Sequence, residues 1–466
     1  MEIFIRKWSK MSGGRFDPLY LYFNIQTLLK HNTYNIDSIG NYIVEIKTGF
    51  AAGKQDQTDS AGVIQIRPTN LNENGQLKFD KNIYVPKDSV SIGDYIQKGE
   101  VLFNNTNSQE LVGKTAYFDL EDNFVCSNHI TRIKTKSDKL LPKYLWILLN
   151  IYQKYKIFFN TCVNWNNQSG INIELLKSYT IPIPPKEIQQ QIINIMNNAY
   201  LLKKQKENEA RDILDSIDSY LLDELDIVLP YKNTDLRHRI YTTKLSSISG
   251  KRFDCEYHQS YYKELEKSLR QGKYELASIS SVISSVKKGI EVGSNEYVRE
   301  KAIPFIRVSD INNNGIDFES VDKFITRSLY DNLKADFQPQ EGELLYSKDG
   351  TIGICLEANC EKEYIISGAI VRIAIDNAVN RFFIQALLTS RIINALANRN
   401  AIGAIIKHLT IDNLLNLKIP LPPLHVQDKI ADEIVRRKQK ALHLQKEAKD
   451  ILKYAIIKVE KIILGE

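Results

Sequence analysis

Two stretches of the chain carry apolar residues at steps of three and four over some forty positions. The first runs Ile188, Ile192, Ile195, Ala199, Leu202, Ala210, Ile213, Ile217, Leu221, Leu225, and the second Val426, Ile430, Ile434, Ala441, Leu444, Ala448, Ile451, Ala455, Val459, Ile462. The positions between are mostly Lys, Glu, Gln, Asn and Asp. Each stretch therefore predicts a long helix with one narrow buried side. Helices of this length far exceed the usual ~11–12 residues, and a single long stripe needs a partner, so the two are expected to pack on each other as a coiled coil. One polar break interrupts the first stripe at Lys206, where the second has Leu444.

Both stretches open on the same signal, Ile181-Pro182-Ile183-Pro184-Pro185 and Ile419-Pro420-Leu421-Pro422-Pro423. Proline donates to no ladder but suits a first helical turn, so the pair ends an extended segment and starts a helix. The two signals lie 238 positions apart, and Glu209 to Leu214 falls on Glu447 to Leu452 with the same offset. The chain is a tandem duplication, which fixes the architecture that any motif must fit.

Ahead of each helix the pattern changes to short β-prone runs broken by turn residues. Three anchors recur there: Ser12 to Asp17 with Ser249 to Asp254, Ile66 to Gly75 with Ile306 to Gly315, and Gly99 to Asn104 with Gly342 to Ser347. The middle pair ends in Asn-Gly, a strong hairpin signal. The fold class is α+β: two duplicated mixed α/β domains, each followed by a long helix. The expected bounds are 1–185 for the first domain, 186–227 for a central spacer helix, 228–423 for the second domain and 424–466 for a C-terminal spacer helix.

Composition changes this picture little. With 43% apolar and 25% charged residues, the 466-residue chain can bury real cores. A net charge of +6 is compatible with nucleic acid only if unevenly placed. Cys126, Cys162, Cys255, Cys355 and Cys360 are odd in number and form no Cys-x-x-Cys pair, so they read as reduced thiols rather than a disulfide framework or zinc site. No apolar run reaches ~18 residues and Met1 to Gly13 has no signal core, so the expectation is a cytoplasmic protein with no membrane association.

Searches for catalytic motifs fail. Gly113-Lys114-Thr115 lacks the glycine that a phosphate-binding loop needs, Ser108 standing in its place. Asp17-Pro18-Leu19-Tyr20 differs at its third position from the tetrapeptide of amino-methyltransferases, and the second copy reads Asp254-Cys255-Glu256-Tyr257. The histidines show no ligand spacing. Asp37 with Glu45 and Lys47 mimics a nuclease metal site without a counterpart in the second copy. A self-sufficient nuclease using these three residues is one alternative reading, and a coiled-coil adaptor that never touches DNA is another.

Between the shared anchors the copies carry unlike loops rich in Asn, Gln, Lys, Thr and Gly, the donors and acceptors that read base edges and phosphates. Two such domains, each followed by Ile-Pro-x-Pro-Pro and a helix with an Ala-x-Asp-Ile-Leu seam, closely resemble the specificity (S) subunit of type I restriction-modification systems. The matching residues are Ile181 to Gln191 and Ile419 to Lys429, with Gln189 and Gln427 at equivalent places. The runs Gly170 to Leu176 and Thr410 to Leu415 are similar to that family, as is Ser347-Lys348-Asp349-Gly350-Thr351-Ile352-Gly353. The first copy departs from it with Asn104 to Ser108.

The resemblance implies target recognition domains that each read half of a split, asymmetric DNA site. It also implies an antiparallel coiled coil that spaces the domains and docks two methyltransferase (modification) subunits. No cofactor and no catalysis are expected in this chain. S-adenosylmethionine, ATP and magnesium belong to partner subunits that methylate adenine, translocate and cut. About 40 helical residues span roughly 60 Å, long enough for such a spacer. The candidate DNA contacts are Lys54, Gln55, Arg67, Asn70, Asn105, Lys114, Asn164, Asn166, Asn167 and Gln168 in the first domain. In the second they are Lys287, Lys288, Arg307, Asp310, Lys348, Asp349, Thr351, Lys407 and His408.

Overall fold

The Ile-Pro-x-Pro-Pro signal turns out to close a sheet as well as open a helix. In the computed structural model, strand Thr180–Ile183 pairs antiparallel with Asn35–Ser38, and Lys418–Pro420 pairs with Leu276–Ser278. Each proline strand sits in a two-stranded sheet, where the missing N–H disrupts no central ladder. The structure describes residues 28–465 apart from 54–56, 59, 166–167, 234, 236, 238–239, 250–251, 301 and 404–405.

The chain divides into two compact units, residues 1–206 with 446–466, and residues 207–445. The first contains a four-stranded antiparallel sheet in the order Ile43–Thr48, Ile130–Thr135, Val101–Asn104, Thr115–Tyr117. The second repeats it as Ile283–Lys288, Ile370–Ile375, Glu343–Ser347, Cys355–Glu357. Each unit adds a smaller sheet with one parallel pair, Val63–Ile66 on Phe124–Cys126 and Ile303–Ile306 on Ile365–Ile366. The second unit has a helix, Arg327–Phe337, with no counterpart among the described residues of the first; Thr326 caps it by accepting the Leu329 amide at 3.2 Å.

An apolar helix covers one face of each large sheet. Tyr144, Leu145, Leu148 and Tyr152 of helix Pro142–Lys154 are buried with Val101, Phe103 and Ile133. Phe383, Ile384, Leu387 and Leu388 of helix Arg381–Thr389 are buried with Leu344, Tyr346, Val371 and Ile373. Within the large sheets a buried arginine ties strand to loop. Arg132 donates to Glu100 at 2.7 and 2.9 Å and to the carbonyls of Gly93, Asp94 and Tyr95. Arg372, at the same place in the second unit, donates to the carbonyls of Gln338 and Asp336 and lies 3.6 Å from Glu343.

The long helices are Lys186–Glu224 and Leu424–Leu464. In the first unit Ile192, Met196 and Ala199 share a core with Leu452, Ala455, Val459 and Ile463. In the second, Leu221, Leu222 and Leu225 pack with Ile430, Ala431 and Ile434, and Ala210 with Ala441 and Leu444. Early residues of one helix meet late residues of the other in both units, so the pairing is antiparallel. The break at Lys206 is an ion pair across the seam, 2.8 Å from Glu447.

One stripe position fails: Leu202 is exposed, as is its neighbour Leu201. Nearer the globular folds the helix instead buries Ile193 and Met196 beside Ile192, a wider face than the seam alone requires. Tertiary packing there outweighs the regular period. Gln189 and Gln427 explain their matched positions. Gln189 accepts the Leu141 amide at 2.8 Å and donates to the carbonyls of Lys139 and Pro184. Gln427 accepts the Asn380 amide at 2.9 Å and donates to the Pro422 carbonyl. Each glutamine pins the start of a long helix to the start of the helix covering its sheet.

Candidate nucleic-acid interface

The repeated frame places one residue of each unit at the same structural point. In the first unit the Asn105 amide donates to His129 O (3.0 Å) and its carbonyl accepts from Ile171 N (2.9 Å). In the second the Lys348 amide donates to Ala369 O (2.9 Å) and its carbonyl accepts from Leu409 N (2.8 Å). Asn105 and Lys348 are thus equivalent, each at the end of a central strand and clasped between two other segments.

Around Asn105 the chemistry is neutral. Its amide donates to Asn128 O (3.1 Å) and Thr131 Oγ1 (2.9 Å), while Thr106 Oγ1 donates to its carbonyl oxygen. Strands Val163–Trp165 and Gln168–Gly170 form a hairpin whose second strand pairs with Thr106–Asn107, so Asn105, Asn164 and Gln168 come together. Asn164 accepts from Ser169 Oγ at 2.6 Å. Gln168 is exposed. Lys114 follows Gly113, whose φ is 91° and whose missing Cβ would meet Phe158 Cδ2 at 2.1 Å, so only glycine fits this turn. Its carbonyl accepts the Asn104 amide at 2.8 Å.

Around Lys348 the chemistry is charged. The Lys348 ammonium, buried, lies 2.6 Å from Asp349 Oδ2, and His408 Nδ1 faces the other carboxylate oxygen. Asp349 and Ile402 both bridge to His408. The Lys407 carbonyl accepts from Gly350 N at 2.8 Å, and its ammonium is 3.4 Å from Glu256. Ser347 Oγ donates to the Thr351 carbonyl at 2.6 Å. Five candidates, Lys348, Asp349, Thr351, Lys407 and His408, therefore form one cluster. Lys287 and Lys288 are exposed on strand Ile283–Lys288, opposite Arg372 and Val371.

Arg67 and Arg307 also occupy matching places. Arg67 Nε and Nη2 both donate to Gln65 Oε1 at 3.3 Å, and burial lowers the pKa of its guanidinium. Arg307 instead bonds Asp310 and Asp322. Asn70 and Asp310, also candidate contacts, serve the fold. Both are buried, and their side-chain oxygens accept the amides of Arg67 (2.9 Å) and Arg307 (2.8 Å) to close a turn. Asn105 is likewise buried, its side-chain amide bonded inside the frame. Lys54, Gln55, Asn166 and Asn167 lie outside the described residues, as does the Asp17 to Tyr20 tetrapeptide.

Asp37 is engaged locally, accepting from Ser38 N, Asn41 and Tyr42, while Glu45 pairs with Lys47 at 2.8 Å. These bonds hold both carboxyls below their ordinary pKa, through the Ser38 amide and the Lys47 ammonium respectively. No hydrogen bond among the described residues joins the two sets. No group of three His, Cys, Asp or Glu suited to a metal occurs among the described residues, and none of their helices is long and apolar enough to cross a membrane. The sequence pattern missed the exposed apolar residues Val163, Trp165, Ile402 and Ile406 near the two clusters. The alternation Val163-Asn164-Trp165 was the available signal, masked by the Asn-rich turn beside it.

Comparison with known proteins agrees with the duplication. The family model described as type I restriction modification DNA specificity domain matches twice, over residues 32–212 and 272–452. The protein named "Putative type I restriction enzyme MjaX specificity subunit" of Methanocaldococcus jannaschii is 34% identical over 101 residues, covering 22% of this chain and 24% of that one. The chain thus spans about a quarter of the length of that curated relative in the match. The crystal structure of the type I restriction-modification system S subunit from M. genitalium has a TM-score of 0.46 at 14% identity, covering 93% of this chain and 97% of that one. A chain solved for the structural basis of complex assembly and conformational transition of the type I R-M system has a TM-score of 0.49 at 14% identity, covering 93% and 96%.

Proposed function

Since the chain belongs to the family of type I restriction modification DNA specificity domains and carries two copies, we propose that it is the DNA-recognition and scaffold subunit of a type I restriction-modification complex. Each globular unit reads one half of a bipartite, asymmetric site in double-stranded DNA. The paired helices set the spacing of the half-sites and dock two methyltransferase subunits, with restriction and translocase subunits joining the assembly. Recognition is the role of this chain in the cytoplasm. S-adenosylmethionine, ATP and magnesium serve the chemistry of the partners.

The observation that supports this most directly is the equivalence of Asn105 and Lys348. One backbone frame holds an amide cluster in the first unit and a Lys-Asp-His cluster in the second. Base pairs are told apart by their pattern of donors, acceptors and methyl groups, so the unlike exposed side chains that these like frames hold at their rims, Gln168 in the first unit and His408 in the second, select unlike half-sites. Methylome sequencing of cells with and without this gene and its methyltransferase tests the reading. The expected result is one bipartite adenine motif that vanishes on deletion; an unchanged methylome refutes it. Exchange of residues 1–180 for those of a relative is expected to alter one half-site only.

A further inference from the structure

The two hairpins beside the candidate clusters share a feature that their sequences conceal. In the first unit Val163 pairs with Gly170, which pairs with Thr106. In the second Ile402 bridges to His408, which bridges to Asp349. Val163 and Ile402 therefore hold the same place in the same three-strand arrangement. Both are β-branched and apolar, and their exposures are 49% and 48%. A single exposed aliphatic residue needs no explanation, but the same kind at the same point of two otherwise unlike loops does.

Strand alternation places Trp165 on the face of Val163, with Asn164 on the opposite one. Trp165 is 46% exposed, and its ring lies across Gly170, where a Cβ would stand 2.2 Å from Cη2. Glycine at 170 thus leaves room for the indole on the face that Val163 shares. Directly across from Trp165 is Gln168, exposed and on the same face. The result is an apolar surface flanked by a free-reaching amide.

We infer that this face, Val163 with Trp165, contacts the 5-methyl group of a thymine in the major groove, and that Ile402 provides the matching contact in the second unit. The inference rests on the DNA-reading role proposed above and names the chemical group recognised. An A·T pair presents a methyl beside donors and acceptors that a Gln amide can bond bidentately, which matches Trp165 beside Gln168. Base stacking would suit Trp165 but not the aliphatic Ile402. What the two hairpins share is apolar surface, and a methyl group is what such a surface recognises.

The test uses the full chain assembled with its methyltransferase subunits and duplexes carrying its own motif, in which each thymine is replaced in turn by deoxyuridine. Removing one buried methyl is expected to weaken wild-type binding about fourfold at the contacted thymine. Trp165→Ala should bind the thymine duplex more weakly and lose the distinction between thymine and deoxyuridine at that position. Val163→Thr, which preserves shape, should reduce the distinction without disturbing the fold. Sensitivity to deoxyuridine that is the same in wild type and both variants overturns the inference, as does insensitivity at every thymine. Failure of the assembled complex to bind any duplex overturns the DNA-reading role itself and is seen without the variants.

Discussion

At matching points of one backbone frame, the first unit sets amides where the second sets charges. Arg67 rests on the amide of Gln65, whereas Arg307 is held between Asp310 and Asp322. Asn105 is satisfied by a threonine hydroxyl and a carbonyl, whereas Lys348 is paired with Asp349. What the units keep in common lies deeper: the buried arginine on the sheet, the glutamine after the prolines, and the order of strands. Stability resides in those parts, which leaves the rim free to diverge without loss of fold.

The largest test of this division targets the shared arginine. Glu100→Gln leaves Arg132 buried without its carboxylate and is expected to cost the first unit about 3–5 kcal/mol. Glu343→Gln should cost the second unit only about 1 kcal/mol, because Arg372 relies on carbonyls and stands 3.6 Å from Glu343. Native-state hydrogen exchange resolved by unit would measure both, and equal costs would break the comparison. Next is the glutamine pair. Gln189→Leu removes three hydrogen bonds and should destabilise the first unit by about 2–3 kcal/mol, against roughly 1–2 kcal/mol for Gln427→Leu, which removes two.

A smaller contrast is expected at the rim. If Arg67 meets DNA, Arg67→Ala should weaken binding by about 1–3 kcal/mol and change its salt dependence, read by titration at several ionic strengths. Arg307→Ala should change binding less, because two carboxylates already offset that guanidinium. The smallest effect belongs to Lys206 and Glu447. Their side chains are 34% and 38% exposed, so a double-mutant cycle should give a coupling below about 1 kcal/mol. A larger value would make this pair a determinant of helix register.

The duplication, the helices and their prolines were legible because their signals are local: a period of three to four, and a residue that donates no hydrogen bond. Leu202 was misread because the packing of the globular fold widens the buried face at Ile193 and Met196. The roles of Asn70 and Asp310 were hidden for a related reason. A polar residue after a strand serves a turn or a ligand according to whether it is buried, and burial is decided by the second sheet. Val163 and Trp165 escaped notice because the face their hairpin presents depends on where its second strand, Gln168–Gly170, pairs, here with Thr106–Asn107, some sixty positions earlier in the chain.

The antiparallel helix pair also has a consequence in time. The core of the first unit includes Leu452, Ala455, Val459 and Ile463, which follow the entire second unit in the chain. At the usual ~5–20 residues per second, about 240 further residues must be synthesised after Lys206, a delay of roughly 10–50 s. Throughout that interval Ile192, Met196 and Ala199 lack the surface that covers them. The second unit, contiguous from 207 to 445, meets no such delay. The nascent chain therefore completes its units in reverse order, and the earlier half is the one that chaperones have reason to guard.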